Sequence, residues 1–421
     1  MRLSVLPAAA LLAACVTAPG AAHADATPAQ CTETGPTSPR TAPVTGSNSV
    51  YDALRIGATA DLFEGTARAP GQGVTVVVVG PRVAAPGVEA VDLGLRSADG
   101  SSPYGAIAAG VVRGPDEGGV PIGFAPGARV VAAEVYDTDY GLGIEGAAEP
   151  DADRVAAGLE WVHAQRGQLG DRVVALVPQA VGKDDRLTAA VKRLASDGVL
   201  VVAGIGDRPE TSDTSSPLSA FAGAEGTDLP PGEDARGATW PAGYGSVLAV
   251  GVPPLPGDTD VSDYVVPNSD VDVSAPTVGG VSWGGNGISC RIDVASSQVA
   301  AAEVAAVAAL VWSAPGHEQD TARELRDRLV RTAAGSDAPG ALSPVSGAGI
   351  VQPLDAVQRI DVGRAEPGDV VERATPAPAP EPRTDDLAGT RRDALWWGLV
   401  AGGALVVAVL LRPVLNRRRG S

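Results

Sequence analysis

Fourteen consecutive residues, Val299 to Trp312, are small or apolar on every side, with Glu303 the one charge among them. A surface helix shows a single apolar stripe, whereas a helix apolar all round is packed on all its faces. Crossing a bilayer takes about twenty such residues, so this segment is expected to run through the core of a large domain.

Other segments give that core its surroundings. Val74 to Val79 is an unbroken β-branched run, the pattern of a strand buried on both faces of a parallel sheet. Strands are expected again at Val130–Val135, Val173–Val177, Val199–Ala203 and Val247–Val252, with helical spacing at Ala152–Ala164 and Leu187–Ser196 and a shorter helix within Ala53–Arg68. Strand and helix alternating in this way imply an α/β fold, a mainly parallel central sheet between helical layers. A chain of 421 residues then reads as one large domain with appendages. Its formal net charge of -18 argues against nucleic acid, or an anionic membrane surface, as partner of the soluble part. No cofactor and no metal site is expected.

The appendages lie at both ends. Arg2, an apolar run to Ala14 and Ala22-His23-Ala24 before Asp25 fit a signal peptide over 1–24. The competing reading takes Leu12-Ala13-Ala14-Cys15 as a lipoprotein cleavage site; the small-x-small site after the apolar run favours the plain signal. The mature chain then keeps Cys31 and Cys290, an even pair that reads as a disulfide in an exported protein, two free buried thiols being the alternative. At the other end, residues 363–393 form a Pro-rich linker. Residues 394–412 then read as a transmembrane helix that opens on Trp396 and Trp397 and is free of charge from Ala394 to Leu411. Arg412, Arg417, Arg418 and Arg419 follow it and make 413–421 a cytoplasmic tail. The expected product is a single-pass protein of the cell membrane with its large domain on the extracytoplasmic side.

Between these ends, short motifs resemble those of subtilisin-like serine proteases. Gly123-Phe124-Ala125-Pro126-Gly127-Ala128 resembles that family's Gly-Val-Ala-Pro-x-Ala turn, and Trp240-Pro241-Ala242 with Val247-Leu248-Ala249-Val250-Gly251 resembles its Tyr-Pro-Ala…Val-Ile-Ala-Val-Gly. Val273-Ser274-Ala275-Pro276 resembles Val-Ala-Ala-Pro, and Gly347–Val357 resembles the closing Gly-x-Gly-x-Val-x-Pro. The apolar helix with Ser296-Ser297-Gln298 before it resembles the family's Gly-Thr-Ser-x-Ala-x-Pro segment and the central helix that follows. The resemblance implies a subtilisin-like three-layer domain over 71–362, preceded by an N-terminal extension over 25–70.

Carried over residue by residue, the resemblance implies a degenerate catalytic site. The aspartate slot at the end of the first strand holds Gly80, the histidine slot of His-Gly-Thr-x-Val-Ala-Gly holds Tyr104, and the serine slot holds Gln298. The oxyanion-hole asparagine aligns with Asp207. A carboxamide is no nucleophile, a phenol near pKa 10 is no general base at neutral pH, and an anion repels the oxyanion it should stabilise. His163 and His317 lack the family's flanking residues and are expected to be ordinary solvated histidines.

Signal peptide, extension, domain, linker and basic-tailed anchor together resemble the mycosins, the membrane-anchored proteases of type VII secretion systems. Three functions remain open on this reading. One is a catalytically inactive mycosin-like protein that binds components of a type VII secretion membrane complex, or a peptide segment. The others are an active serine endopeptidase with relocated catalytic residues and a peptide-binding module independent of secretion.

Overall fold

The structure, a computed structural model, describes residues 29–359 except 36, 40–41, 95–101, 143, 211–212, 224–231, 256–262 and 336–341, together with 396–397, 399 and 401–403. The chain divides into two units, Met1–Arg359 and Ile360–Ser421.

In the first unit seven strands build one sheet: β1 Val74–Pro81, β2 Glu89–Asp92, β3 Arg129–Tyr136, β4 Arg172–Val177, β5 Leu200–Gly204, β6 Val247–Gly251 and β7 Val273–Ser274. Their spatial order is β2-β3-β1-β4-β5-β6-β7, and every neighbouring pair is parallel. β1 shows why the layers form. Side chains alternate across a strand, so Val74, Val76 and Val78 enter one core while Val77 and Val79 enter the other.

The second of these cores is closed by the helices Ala152–Ala164 and Asp185–Ser196. In the latter, Leu187, Ala190, Val191 and Leu194 recur at helical spacing and are buried, and the Asp184 carboxylate caps its start. The first core is filled by the helix Ser297–Ser313, with Tyr104–Arg113 and Ala322–Thr332 beside it. Every residue of Ser297–Ser313 is buried, as an all-round apolar sequence requires. It stops where the backbone becomes extended at Ala314.

The expected strands and long helices are present, displaced by a residue or two at their ends. Unforeseen were the edge strand β2, the two-residue β7, and an antiparallel pair, β8 Val281–Trp283 with β9 Ser289–Arg291. β2 has the sequence EAVD and is mostly exposed, so no hydrophobic pattern marks it.

The N-terminal extension belongs to the same core. Val50, Leu54, Ile56 and Phe63 are buried in the cluster that holds the central helix. Cys31 and Cys290 form a disulfide, both fully buried, which fastens the extension to β9. Cys31 N also donates to Arg291 O at 2.9 Å, and Arg291 reaches the Ser47 carbonyl.

In the second unit the described residues are helical, and Trp396, Trp397 and Leu399 are exposed. Among the described residues no helix is long and apolar enough to cross a membrane. The expected signal peptide, the linker over 363–393 and most of the span 394–412 lie outside the described residues.

Candidate functional site

The sheet order reverses at β1: β3 and β2 lie to one side of it and β4 to β7 to the other. Ligand sites in open α/β sheets sit beyond the carboxyl ends of the strands at such a switch point. Gly80, Tyr136 and Pro178 meet there, at the ends of β1, β3 and β4. A Cβ on Gly80 would stand 3.3 Å from Pro178 Cγ and 3.4 Å from the Tyr136 hydroxyl, so an aspartate in this slot would press on both. Gly204, which ends β5, packs its backbone between Pro178 O and Ser297 O, with an added Cβ only 2.5 Å and 3.0 Å from them. Through these contacts the end of β1 is joined to the first turn of the central helix.

That first turn is held from within. Ser296 is the N-cap; its hydroxyl donates to Asp207 Oδ2 at 2.8 Å and accepts from Gln298 N at 3.2 Å. Ser297 N donates to Asp207 Oδ1 at 2.6 Å. The Tyr104 phenol lies near Ser296 and near the Asp207 carboxylate. Tyr104 and the backbone N–H of Gln298 are thus both beside Ser296, which is bonded to Asp207. The structure brings the four aligned positions together at one edge of the sheet.

Asp207 does more than the sequence implied. A free helix N-terminus presents unsatisfied N–H groups and attracts anions, and here a carboxylate of the chain itself occupies that place. A developing oxyanion would find the Ser297 N–H already engaged. Burial raises the pKa of Asp207, opposed by its hydrogen bonds from Ser297 and Ser296.

Tyr104 is far from serving as a base. Burial, then the charges of Asp207 and Asp139, push its phenol well above the ordinary range, so it stays protonated at neutral pH.

Asp139, which sequence reasoning passed over, belongs to the same neighbourhood. It follows β3 and accepts from Ser102 Oγ at 3.0 Å; burial and Asp207 push its carboxyl up to about 7. Its place just after a buried strand, in Tyr136-Asp137-Thr138-Asp139, was the available signal. Next to it Tyr140 donates to Ala180 O at 3.1 Å and ties the loop after β3 to the loop after β4.

The histidines lie elsewhere. His163 is part-exposed and paired with Asp197. His317 departs from expectation: it is 8% exposed, and its ring nitrogens meet Asp320 Oδ2 at 2.9 Å and Val357 O at 3.0 Å. Two partners, one in the loop before the helix Ala322–Thr332 and one in the helix Pro353–Gln358, take this ring out of water, which its place after Pro315-Gly316 did not reveal. A cleft of about 490 Å³ opens at the opposite, amino edge of the sheet between Val199, Ser246 and Arg323, and contains none of the residues above.

Three comparisons with known proteins bear on this geometry. The subtilase family matches residues 92–349, more than half of the chain. No curated protein matches the sequence. Among solved structures, MycP1 from the ESX-1 type VII secretion system superposes with a TM-score of 0.57 at 20% identity, covering 80% of this chain and 93% of that one. The MycP3 protease from the type VII (ESX-3) secretion system gives 0.55 at 23% identity, covering 79% and 93%. MycP1 from Mycobacterium smegmatis gives 0.56 at 20% identity, covering 80% and 90%. At such identities these likenesses establish a shared fold. With the parallel sheet, the buried central helix and the match over 92–349, the chain belongs to the subtilase family.

Proposed function

We propose that this protein is a mycosin-like pseudoprotease, anchored in the membrane, whose domain binds rather than cuts within a type VII secretion system. The observation that carries the reading is the capped helix. In the slots for nucleophile, base, orienting acid and oxyanion donor stand Gln298, Tyr104, Gly80 and Asp207, and the Asp207 carboxylate occupies the helix N-terminus where the oxyanion would form. Peptide hydrolysis needs an activated nucleophile, a base and a place for negative charge; each role fails separately. The likeness to MycP1 and MycP3, named for type VII secretion, supports that setting. Components of the secretion membrane complex, or a peptide segment in the former substrate cleft, are the partners this reading implies.

One observation favours relocated chemistry: Ser296 Oγ lies 2.8 Å from a carboxylate. That hydroxyl is engaged as the N-cap, however, and the neighbouring N–H is given to Asp207. The test is direct. Purified full-length protein is expected to resist labelling by a fluorophosphonate serine probe and to leave peptide libraries uncut, and Gln298→Ser alone should restore neither activity. Labelling that disappears in Ser296→Ala or Ser297→Ala would make the endopeptidase reading the better one.

The anchor is proposed from the charge-free stretch 394–411 and the arginines after it. On fractionation the chain is expected in the membrane pellet, with its domain open to protease added outside spheroplasts. Full-length protein recovered from the medium would contradict this.

A further inference from the structure

Polar side-chain atoms buried without a hydrogen-bond partner are few in a folded protein, and each calls for a reason. Four of those among the described residues fall at the former active site: the Tyr136 hydroxyl, Gln179 Oε1, Ser297 Oγ and Gln298 Oε1. Their residues are neighbours: Tyr136 and Pro178 flank Gly80, Gln179 follows Pro178, and the backbones of Pro178 and Ser297 flank Gly204. Ser297 and Gln298 are 1% and 8% exposed, so water outside the fold does not meet their needs.

Their chemistry has one sign. The two amide oxygens can only accept, and the two hydroxyls are able to. Beside them stand two carboxylates, Asp207 bonded to Ser297 N and Asp139 coupled to Asp207, Tyr104 and Tyr136. Asp139 and Asp207 are half-buried residues whose carboxyl groups are themselves largely shielded from water. Neither forms an ion pair among the described residues. Arg208, the nearest cation in sequence, is committed to Glu233 and to the carbonyls of Phe221 and Val265. Among the described residues no group of three or more His, Cys, Asp or Glu could hold a metal ion. An organic cation, which needs several hydrogen-bond acceptors and only one or two charges, fits this set better.

We propose that this edge of the sheet receives a positively charged peptide group, a lysine or arginine side chain or an N-terminal ammonium, held by Asp139 and Asp207, with the acceptors of Gln179, Ser297 and Gln298 reached as the first turn of the central helix gives way to it. The inference rests on the reading that the domain binds peptides without cutting them, and it names the feature of the peptide that is recognised. Loss of the catalytic histidine and serine fits such a use, because it leaves acceptors and negative charge where a hydrolase needs donors. The charge on Asp139 governs the affinity. This carboxyl faces Ser102, which donates to it, and Asp207, Tyr104 and Tyr136, which add no positive charge. A cation binds the ionised form, so affinity falls by up to about tenfold per unit below pH 7; above it a lysine or arginine side chain keeps its affinity, while an N-terminal ammonium loses its own charge from about pH 8.

The experiment uses full-length protein in detergent and three fluorescent Ala/Gly hexapeptides, read by anisotropy at pH 8 and pH 5.5. One is N-acetylated with a central lysine, one is N-acetylated with norleucine in its place, and one carries norleucine and a free N-terminus. At pH 8 at least one cationic peptide is expected to bind tenfold or more tighter than the acetylated norleucine peptide, and which one does so tells side chain from terminus. That advantage should shrink at pH 5.5 and vanish in Asp139→Asn, whose amide oxygen still accepts from Ser102 so that the unfolding midpoint stays near that of the parent. Equal binding of all three peptides, or an advantage unchanged in Asp139→Asn, would overturn the site while leaving the non-cleaving reading intact. Cleavage of any peptide would overturn that reading instead.

Discussion

Replacing Cys31 and Cys290 together by alanine is expected to lower the free energy of unfolding by about 2–5 kcal/mol, among the largest losses two substitutions can produce in this domain. The bridge spans 259 residues, and chain-entropy arguments assign the greatest stabilisation to long loops. Buried contacts reduce the loss in practice. Val50, Leu54, Ile56 and Phe63 still hold the extension to the core once the bridge is gone, so the folded state survives and the damage concentrates upstream of them. Residues 29–45, held by Cys31, the Val44–Ser289 hydrogen bond and the arginine contacts of Arg291, should become the first target of limited proteolysis. Urea unfolding of the double variant, alongside mapping of the first cleavage, checks both parts. A change below about 1 kcal/mol would mean that the apolar contacts alone fix the extension.

The features legible in the sequence are those whose cause is local. β1 announced itself because each of its residues is buried and most are β-branched. The helix Ala152–Ala164 was legible to its ends because Asp151 caps it and its apolar residues keep helical spacing. The central helix was legible because no polar face exists to be confused with solvent. What stayed hidden depends on partners far along the chain. β2, β7 and the β8–β9 pair are each two to four residues long and exist only by pairing across the fold. At the site, motif order assigned Gly80, Tyr104, Gln298 and Asp207 to the family's catalytic slots, yet it could not show that Asp207 would cap a helix 90 residues later. The roles of Asp139 and Tyr140 were equally out of reach. They come from a loop after β3 that meets Ser102 and the loop after β4 only in three dimensions.

The central helix carries one residue that its surroundings oppose, and substituting it should raise stability. Glu303 is 1% exposed and its Oε2 has no hydrogen-bond partner. Burial alone pushes its carboxyl well above the ordinary 4.5. The group is therefore neutral in the folded protein and ionised in the unfolded chain at neutral pH, and the direction of the pH effect follows. The stability that goes with a raised pKa is fully present below the unfolded value. It is lost as pH rises from there toward the folded pKa, at about 1.4 kcal/mol per unit. Asp139 and Asp207, also raised, push the same way, while Glu160, Asp234 and Glu318 are lowered and lose their contribution on acidification instead. A comparison of Glu303→Leu with the parent isolates the one residue from these others. Leucine is close in volume and removes both the ionisation and an unpaired polar atom whose burial costs about 1–3 kcal/mol. Glu303→Gln removes the ionisation alone. Both variants are expected to be more stable than the parent at pH 8 and to lose most of that advantage by pH 5, with leucine ahead of glutamine at either pH. Urea midpoints at the two pH values decide it: a gap that stays constant, or that widens toward acid, would mean that Glu303 is ionised and paired in the folded protein.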